Sequence, residues 1–233
     1  MLVDIIIPAH NPGKLLNKAI DSCLKQTYKN YNIIVVDDAS SEDVLGNLIK
    51  HPKVSYIRND KNVGPAESRN IGIRAGSGDL ISLLDADDFM CDRKLKLSVQ
   101  KFKDDPSIGL TCGNYKIFAN NRLMGPFYKK PILIDHKALL RINYVASGST
   151  TFSRAVVNDI GLFDSRYWIA EDYDYWLRIS EKYKIEYIHD VLYYYTVVTN
   201  GKSLTQRADI QNVHNKNLEE IRAASIKRIS GES

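Results

Sequence analysis

Residues 80–88 read LISLLDADD, a mostly apolar run of five residues followed at once by three carboxylates in four positions. A short run of this kind predicts a strand buried on both faces, as in a parallel sheet that helices cover. Ligands of such sheets bind outside the carboxyl ends of the strands, which is where these carboxylates follow. The stretch therefore predicts a central strand and the edge of a binding site together.

The same arrangement, an apolar run that ends in polar residues, recurs through the first 90 residues. The predicted strands are residues 2–7, 33–36, 54–57 and 80–84. The predicted helices are residues 15–24, a segment that follows the capping sequence 40–43 and runs to residue 50, and residues 65–75. Alternating strands and helices at this spacing favour an α/β fold with a mostly parallel, Rossmann-like central sheet flanked by helices.

The pattern loosens beyond about residue 105. Strands are predicted over residues 108–118, with an irregularity at Gly113, and over residues 150–152, 185–188 and 191–197. Helices are predicted over residues 173–183 and 209–227. No linker rich in Pro or Ser interrupts the chain, so we expect one continuous globule rather than two separable domains.

The composition excludes several classes of protein. Hydrophobic residues make up 44% and charged residues 26% of the 233 residues, values typical of soluble globular chains. The net charge of +4 is too small to demand a nucleic-acid partner. Three cysteines without a CxxC pair predict a reducing compartment and no structural zinc. No apolar run approaches the roughly 18 residues of a membrane span, and no leader precedes the first strand, so we expect a cytoplasmic location.

Three polar segments follow predicted strands and are expected to share one rim of the sheet: residues 8–11 (PAHN), Asp37-Asp38 and Asp85-Ala86-Asp87. A carboxylate accepts hydrogen bonds and donates none, so Asp38 beside a base would select an N–H edge such as that of uracil. The carboxylates of Asp85 and Asp87 repel unless a cation lies near them, and a divalent ion completed by a diphosphate meets that need. Ordinary caps and loop solvation are the alternative reading.

Two further segments carry candidate chemistry. Arg69 would project from the first turns of the helix that begins near Pro65, where it meets a phosphate, stacks on a base or pairs with a surface acid. Glu171-Asp172 precedes a predicted helix start, where capping explains such residues. A carboxylate held near aromatic rings is also a plausible general base, and spacing alone does not separate these readings.

Taken in order, VDIIIPAHN, VVDDAS, VGPAESRNIGIRAGSGDLISLLDADD and EDYDYWLR resemble the family-2 glycosyltransferases of the GT-A fold. The resemblance covers about residues 2–180. It implies a GT-A domain over residues 1–204, with a nucleotide-sugar-binding half of about 1–105 and a smaller acceptor half of about 106–204. Residues 205–233 would form a C-terminal helical extension.

The resemblance also implies roles for individual residues. The nucleotide sugar would contact residues along the rim: Pro8, Ala9, His10, Asn11, Asp38, Arg69, Asp85 and Ala86. Asp87 would ligate Mn²⁺ or Mg²⁺, which stabilises the leaving nucleoside diphosphate. Asp172 would be the catalytic base that takes the acceptor proton as the acceptor oxygen inverts the anomeric carbon. Glu171 and Trp168 would lie close to the acceptor.

Two motifs of the family are absent. No Q/RxxRW motif follows the base, so we expect transfer of a single sugar rather than polymer synthesis. The late Tyr-Arg-x-His segment is replaced by YTVVTN at residues 195–200, which leaves the remaining metal contacts open. The expected partners are a UDP-linked donor and a saccharide or lipid-linked acceptor in polysaccharide or glycolipid synthesis. Contact with the inner membrane face and a homodimer remain open.

Two alternatives come from other classes of protein. A sugar-phosphate nucleotidyltransferase would need a Gly-rich basic loop after the first strand, where the sequence has only AHNPGK, and would leave Glu171-Asp172 unexplained. A catalytically inactive sugar-nucleotide- or protein-binding homologue is disfavoured because Asp87 and Asp172 are both present. The tail helix has a thin apolar face, which favours packing on the domain or a second copy over a lipid surface.

Overall fold

In the computed structural model, the described residues form a central sheet of nine strands. The structure describes residues 1–119, 122–127, 133–197 and 208–231, with the backbone alone for residues 208 and 209. The strands are β1 (Val3–Ala9), β2 (Tyr31–Asp37), β3 (Val54–Arg58), β4 (Leu80–Leu83), β5 (Phe89–Met90), β6 (Ile108–Ala119), β7 (Arg122–Met124), β8 (Thr151–Ser153) and β9 (Lys184–Thr196). The helices are α1 (Leu15–Leu24), α2 (Val44–Asn47), α3 (Gly64–Ala75), α4 (Lys94–Asp104), α5 (His136–Arg141), α6 (Arg154–Ile160), α7 (Glu171–Ser180) and α8 (Ala208–Ser230).

The order of the strands divides the sheet into a parallel and a mixed part. The path runs β3-β2-β1-β4-β8-β6-β9-β5, with β7 paired to β6. The first four strands pair in parallel, as predicted for a Rossmann-like half. Beyond β4 the pairing becomes antiparallel through β8 to β6, and β6 and β9 are again parallel. The parallel character expected of most of the sheet is therefore concentrated in its first half.

Both faces of the sheet are buried, which explains the continuous apolar run of β1. Ile6 packs with Ile73 of α3 on one face, whereas Ile5 and Ile7 pack with Ile20 of α1 on the other. All of these side chains are at most 1% exposed. Successive residues of a strand point to opposite faces, so a two-sided core requires an unbroken apolar sequence.

Helix α2 is shorter than predicted. Asp43 caps it by accepting a hydrogen bond from the Gly46 backbone N–H, as the acidic segment suggested. The helix nevertheless ends at Asn47 instead of Lys50, and Leu48 is extended. Gly and Asn are poor helix formers, and Leu48 packs against the core that includes α1 instead of extending the helix.

One continuous strand, β9, replaces the two strands predicted between residues 185 and 197. His189 and Asp190 bulge out of it, because Ile188 pairs with Gly113 and Val191 already pairs with Asn114. The irregularity predicted at Gly113 is confirmed. A Cβ at Gly113 would lie 2.6 Å from the Ile188 carbonyl oxygen, so the close approach of the strands requires glycine there.

Helix α4 was not predicted from the sequence, although its apolar residues Leu95, Val99 and Phe102 recur at helical spacing and are buried. Helix α7 begins at Glu171 rather than Tyr173 and ends at Ser180 rather than Tyr183. The earlier start brings Glu171 and its neighbour Asp172 into the first turn of the helix.

Helix α8 packs on the domain, in agreement with the preferred interpretation of the tail. The Ile221 side chain is fully buried, and the Asn217 amide donates to the Ile169 carbonyl oxygen at 2.9 Å. Ser225 and Arg228 both bond to Glu181, just beyond α7. None of the described helices is both long and apolar enough to cross a membrane. The segment 195–200 was compared above with the late histidine motif, and its residues 198–200 lie outside the described residues.

A substitution at Gly72 tests the contact between α3 and β1. A Cβ on Gly72 would lie 2.5 Å from Ile6 Cγ2, so Gly72→Ala overpacks this contact. We expect the free energy of unfolding to fall by about 1–3 kcal/mol in urea titrations, despite a gain of about 1 kcal/mol in helix propensity. Ala75→Gly, at an exposed position of α3, measures the propensity difference alone. A Gly72→Ala protein more stable than wild type would contradict the close approach.

Candidate active site

The predicted site residues meet along one rim of the sheet, where β1, β2 and β4 end. Pro8 and Ala9 are the last residues of β1 and pair with Val36 and Asp37 of β2. Asp85 follows β4 after a single intervening residue. The amino-terminal ends of α3 and α7 approach this rim, and hydrogen bonds described below join all of these segments. Convergence at the carboxyl ends of the parallel strands is confirmed in this respect.

The loops after β1 and β2 are held together by His10 and Asn11. The His10 Nδ1 atom lies 2.8 Å from the Asp38 carbonyl oxygen, which only accepts, so Nδ1 carries the proton. His10 Nε2 then accepts from the Asn11 side-chain amide at 3.0 Å. Asn11 also accepts from the Ser41 backbone N–H through Oδ1 at 2.8 Å. His10 and Asn11 are both exposed and border the rim, where a nucleotide would lie.

The carboxylate of Asp38 is buried and already accepts three hydrogen bonds. It accepts from the Asn59 side-chain amide at 2.9 Å and from the backbone N–H groups of Val63 and Gly64 at 2.8 Å each. A carboxylate offers about four acceptor directions, so most of its capacity anchors the loop that enters α3. Recognition of a base edge by Asp38 would use the remaining direction and stays a prediction.

Trp168 joins the acceptor half to this same loop. Gly64 has a φ of +85°, and a Cβ there would lie 2.8 Å from Cζ3 of the Trp168 ring. The indole therefore lies against the Gly64 backbone, at the start of α3, while 46% of the residue remains exposed. Trp168 was predicted to lie near the acceptor; the structure places it against the start of α3, and its contact with an acceptor stays a prediction.

Arg69 is buried and bridges α7 to the segment that follows β4. Its Nη1 lies 2.5 Å from Glu171 Oε1 on α7, and its Nη2 lies 3.0 Å from Asp85 Oδ1 beyond β4. These carboxylates hold the pKa of Arg69 above its ordinary value despite burial. Both terminal nitrogens thus have carboxylate partners, whereas sequence reasoning expected Arg69 to hold the base or phosphates. That direct nucleotide contact stays a prediction.

Asp172 is positioned by two hydrogen bonds. Oδ1 accepts from the Tyr173 backbone N–H at 2.7 Å, and Oδ2 accepts from Ser147 Oγ at 3.1 Å. Burial raises the pKa of Asp172, while Arg69 and these two hydrogen bonds lower it and leave a net upward shift. Burial likewise raises the pKa of the adjacent Glu171. A raised pKa brings a carboxylate closer to the range suited to a general base near neutral pH.

The acidic residues after β4 form a cluster of negative charge. Burial, and then the nearby Asp85 carboxylate, raise the pKa of Asp87 to about 6, and the same causes raise the pKa of Asp88. Within the described residues, no three His, Cys, Asp or Glu side chains converge into a complete metal cage. A hard divalent ion held by one or two carboxylates and substrate phosphates needs no such cage. The repelling pair Asp85 and Asp87 fits an ion of that kind.

Sequence reasoning missed two polar residues beneath the site, Lys94 and Ser147. Lys94 is fully buried, and its Nζ donates to the Leu83 carbonyl at 2.8 Å and to the Gly148 carbonyl at 2.7 Å. Burial lowers the pKa of Lys94 to about 7. The sequence feature that could have indicated a buried Lys94 is its position four residues before Ser98, on the same face of a helix. That feature has meaning only once residues 94–104 are recognised as helix α4.

Comparison with known proteins agrees with this geometry. Residues 4–161 match the family model described as glycosyl transferase family 2. The chain belongs to glycosyltransferase family 2. The resemblance inferred from the motifs is confirmed, and the chain is a glycosyltransferase. Membership in this family disfavours the nucleotidyltransferase alternative.

A curated relative of this family-2 glycosyltransferase is WfgD of Escherichia coli, named as a UDP-Glc:alpha-D-GlcNAc-diphosphoundecaprenol beta-1,3-glucosyltransferase. The two are 30% identical over 190 residues, which cover 81% of this chain and 73% of WfgD. The name of WfgD specifies a UDP-linked donor and a lipid-linked acceptor for that enzyme.

Solved structures show the fold. TarS 1–349 of S. aureus, in complex with UDP, matches 97% of this chain with a TM-score of 0.76 at 20% identity, and the chain spans 66% of its length. The mannosyltransferase PcManGT of Pyrobaculum calidifontis, in complex with GDP-Man and Mn²⁺, also matches this chain, with a TM-score of 0.68 at 16% identity. The match covers 99% of this chain and 75% of the PcManGT chain. At these identities the likeness concerns the fold alone, and the GT-A prediction is confirmed.

Removal of Arg69 tests the bridge between the halves. Arg69→Met leaves the buried Glu171 carboxylate without its partner, so we expect the free energy of unfolding to fall by about 3–5 kcal/mol. The loss should be smaller at pH 5 than at pH 8, because protonation of Glu171 removes the uncompensated charge. Urea titrations at both pH values measure this.

Arg74→Met is the matched control on the same helix, because the Arg74–Glu67 ion pair is largely exposed. It should cost less than about 1 kcal/mol at either pH. If the two arginine variants lose equal amounts of unfolding free energy, the ion pairs of Arg69 with Glu171 and Asp85 do not stabilise the fold as described.

Proposed function

We propose that this family-2 glycosyltransferase is a metal-dependent, inverting enzyme. It moves a single sugar from a UDP-linked donor to a hydroxyl of a lipid-linked saccharide acceptor. The observation that carries the proposal is the connection between the two carboxylate sites. Asp172 lies in the first turn of α7, and Arg69 ties its neighbour Glu171 to Asp85 beyond β4. The proposed base and the proposed diphosphate-binding acids would therefore lie on opposite sides of one ion-paired arginine, close enough to act on the same donor.

In the proposed reaction Asp172 removes the proton of an acceptor hydroxyl. The acceptor oxygen attacks the anomeric carbon from the face opposite the diphosphate, and the bond from that carbon to the diphosphate oxygen breaks. The bonding electrons leave with the nucleoside diphosphate, so the configuration inverts in one displacement. The hydrogen bonds from Ser147 and Tyr173 fix the direction of the Asp172 carboxylate.

A divalent ion, Mn²⁺ or Mg²⁺, would be held by Asp87 with help from Asp85. When bound it supplies positive charge that balances the charge of the departing diphosphate. Support comes from the raised pKa of Asp87 and from the Mn²⁺ named with the structural neighbour PcManGT.

The donor would lie along the ends of β1, β2 and β4. The residues proposed to line it are those predicted from the sequence: Pro8, Ala9, His10, Asn11, Asp38, Arg69, Asp85 and Ala86. UDP-glucose is the first donor to test, because WfgD is named with UDP-Glc and TarS is known in complex with UDP. A thermal-shift comparison of nucleotide sugars identifies the donor, since a ligand that binds only the native state raises Tm.

The acceptor would approach from the side of Glu171 and Trp168. A lipid-linked saccharide follows from the acceptor in the name of WfgD, alpha-D-GlcNAc-diphosphoundecaprenol. Such an acceptor would bring the enzyme to a membrane surface and would make it part of polysaccharide or glycolipid synthesis. We place the GT-A domain at residues 1–204 and its helical extension at 205–233, as predicted above.

Asp172→Asn tests the base. The amide keeps the shape of the side chain but accepts no proton, so kcat should fall by about 10³-fold or more while Kd for UDP changes by less than about threefold. Transfer to a GlcNAc-diphospholipid acceptor measures kcat, and calorimetry measures Kd. In wild type the rate should fall as the pH drops through the raised pKa of Asp172, because the reaction needs the ionised form.

Asp174→Asn is the matched control. Asp174 lies in the same turn but pairs with Arg178 on α7. It should lower stability and leave kcat within about twofold. If the Asp172→Asn protein keeps the wild-type kcat, or if it only loses UDP binding, Asp172 is not the catalytic base.

Asp87→Ala tests the metal. With Mn²⁺ present, the variant should bind UDP at least about tenfold more weakly than wild type, because the ion loses its protein ligand. With EDTA the two proteins should bind UDP equally. Asp92→Ala removes an exposed acid close by and should leave binding unchanged. If wild type binds UDP equally well with Mn²⁺ and with EDTA, the metal part of the proposal is wrong.

A further inference from the structure

Lys94 is a fully buried lysine that the reaction described above does not use. It lies at the start of α4, and its Nζ reaches two backbone carbonyls, those of Leu83 and Gly148, at 2.8 and 2.7 Å. Leu83 ends β4 in the nucleotide-binding half, whereas Gly148 belongs to the single turn 147–149 in the acceptor half. One side chain thus connects the backbones of both halves.

Each of these carbonyls lies close in the chain to a residue of the proposed reaction. Leu83 stands two residues before Asp85, where β4 runs out into the acidic cluster. Gly148 directly follows Ser147, whose hydroxyl donates to Oδ2 of Asp172. Lys94 is therefore linked to Asp85 by one hydrogen bond and two residues of chain, and to Asp172 by the hydrogen bond to Gly148, the adjoining Ser147 and the hydrogen bond that Ser147 donates.

The turn that carries Ser147 is confined from a second side. A Cβ on Gly148 would lie 2.7 Å from the Tyr193 ring, so the glycine is packed against β9. On the carbonyl side the Lys94 Nζ is its partner. With Tyr193 on one side and Lys94 on the other, Ser147 has little freedom to move away from Asp172.

A lysine at this position is costly. Its desolvation lowers the pKa of Lys94 to about 7, although the Asp85 charge opposes that shift. A methionine has a similar length and would suit an apolar interior better, but it would leave both carbonyls without this donor. This desolvation cost agrees with a lysine whose role is to hold the two carbonyls in position.

We propose that Lys94 is a positioning residue that fixes the base Asp172 relative to the diphosphate-binding acids after β4, through Gly148 and Leu83. This inference rests on the proposed glycosyl transfer, because it assigns Lys94 a role in that reaction. Lys94 touches neither substrate. It acts through the turn that carries Ser147 and through the end of β4.

The position of Ser147 controls the acidity of Asp172. The charged groups that face Asp172 are Arg69 from α3, Glu171 from α7 and Asp85 beyond β4, and Ser147 adds a hydrogen bond to the ionised carboxylate. If the turn shifts, this hydrogen bond is lost and the pKa of Asp172 rises further. The acidic limb of the pH–rate profile should then move to higher pH.

The test compares Lys94→Met with wild type in glycosyl transfer. We expect kcat at pH 7 to fall by about tenfold or more, because the base is misplaced, while Kd for UDP with Mn²⁺ changes by less than about threefold. The acidic limb should move up by roughly half a pH unit or more. Ser147→Ala, which removes only the last link of the path, should move the limb in the same direction.

Val99→Ala is the control for lost stability, because Val99 is buried on the same helix and its apolar side chain donates no hydrogen bond. It should leave the limb in place and kcat within about twofold. If Lys94→Met does not fold, Lys94→Gln takes its place in the test. We expect the Gln amide to donate to one of the two carbonyls, so the acidic limb should move in the same direction by a smaller amount.

The failures are distinguishable. A wild-type protein that transfers sugar from no nucleotide sugar would overturn the proposed function. An active wild type together with folded Lys94 variants whose kcat and acidic limb are unchanged would overturn the role of Lys94. A limb that moves equally in Val99→Ala would also overturn it, since lost stability would then explain the shift.

Discussion

The buried bridge from Glu171 through Arg69 to Asp85 is the interaction on which the site depends. Arg69 is 4% exposed, and its two partners come from the first turn of α7 and from the segment after β4. A buried guanidinium without both carboxylates would be strongly destabilising, so the three groups hold one another in place. Because Asp172 follows Glu171 directly, the bridge also sets where the Asp172 carboxylate lies relative to the acidic cluster after β4.

Backbone strain is concentrated on the same rim. Within the described residues, the non-glycine residues with positive φ are Asn11, Ala39 and Ala170, at +49°, +54° and +67°. They follow β1, follow β2 and precede α7, respectively. Each costs on the order of 1–2 kcal/mol relative to ordinary backbone. Strain of this kind persists only where surrounding contacts impose it, and it is common at functional sites.

Regular strands and helices were predictable wherever local pattern and burial agree. β1, β2 and β4 are buried on both faces, so their apolar runs marked them clearly, and their polar ends marked the rim. Helix α2 ends early, after the poor helix formers Gly46 and Asn47, and Leu48 packs against the core instead. The gap predicted between two strands, at residues 189 and 190, is where β9 bulges, and pairing with β6 joins the two predicted segments into one strand. Tertiary contacts of this kind leave no local signal.

The sequence by itself determined the family, the strands of the parallel part of the sheet and the chemical groups at the strand ends, because periodicity and motif spacing are local properties. Only the tertiary structure decided which groups meet. Arg69 selects Glu171 at a separation of 102 residues, and Lys94 selects the Gly148 carbonyl at 54. A buried charged group pairs with the polar group that tertiary packing brings within hydrogen-bonding distance. The local sequence pattern does not specify that partner.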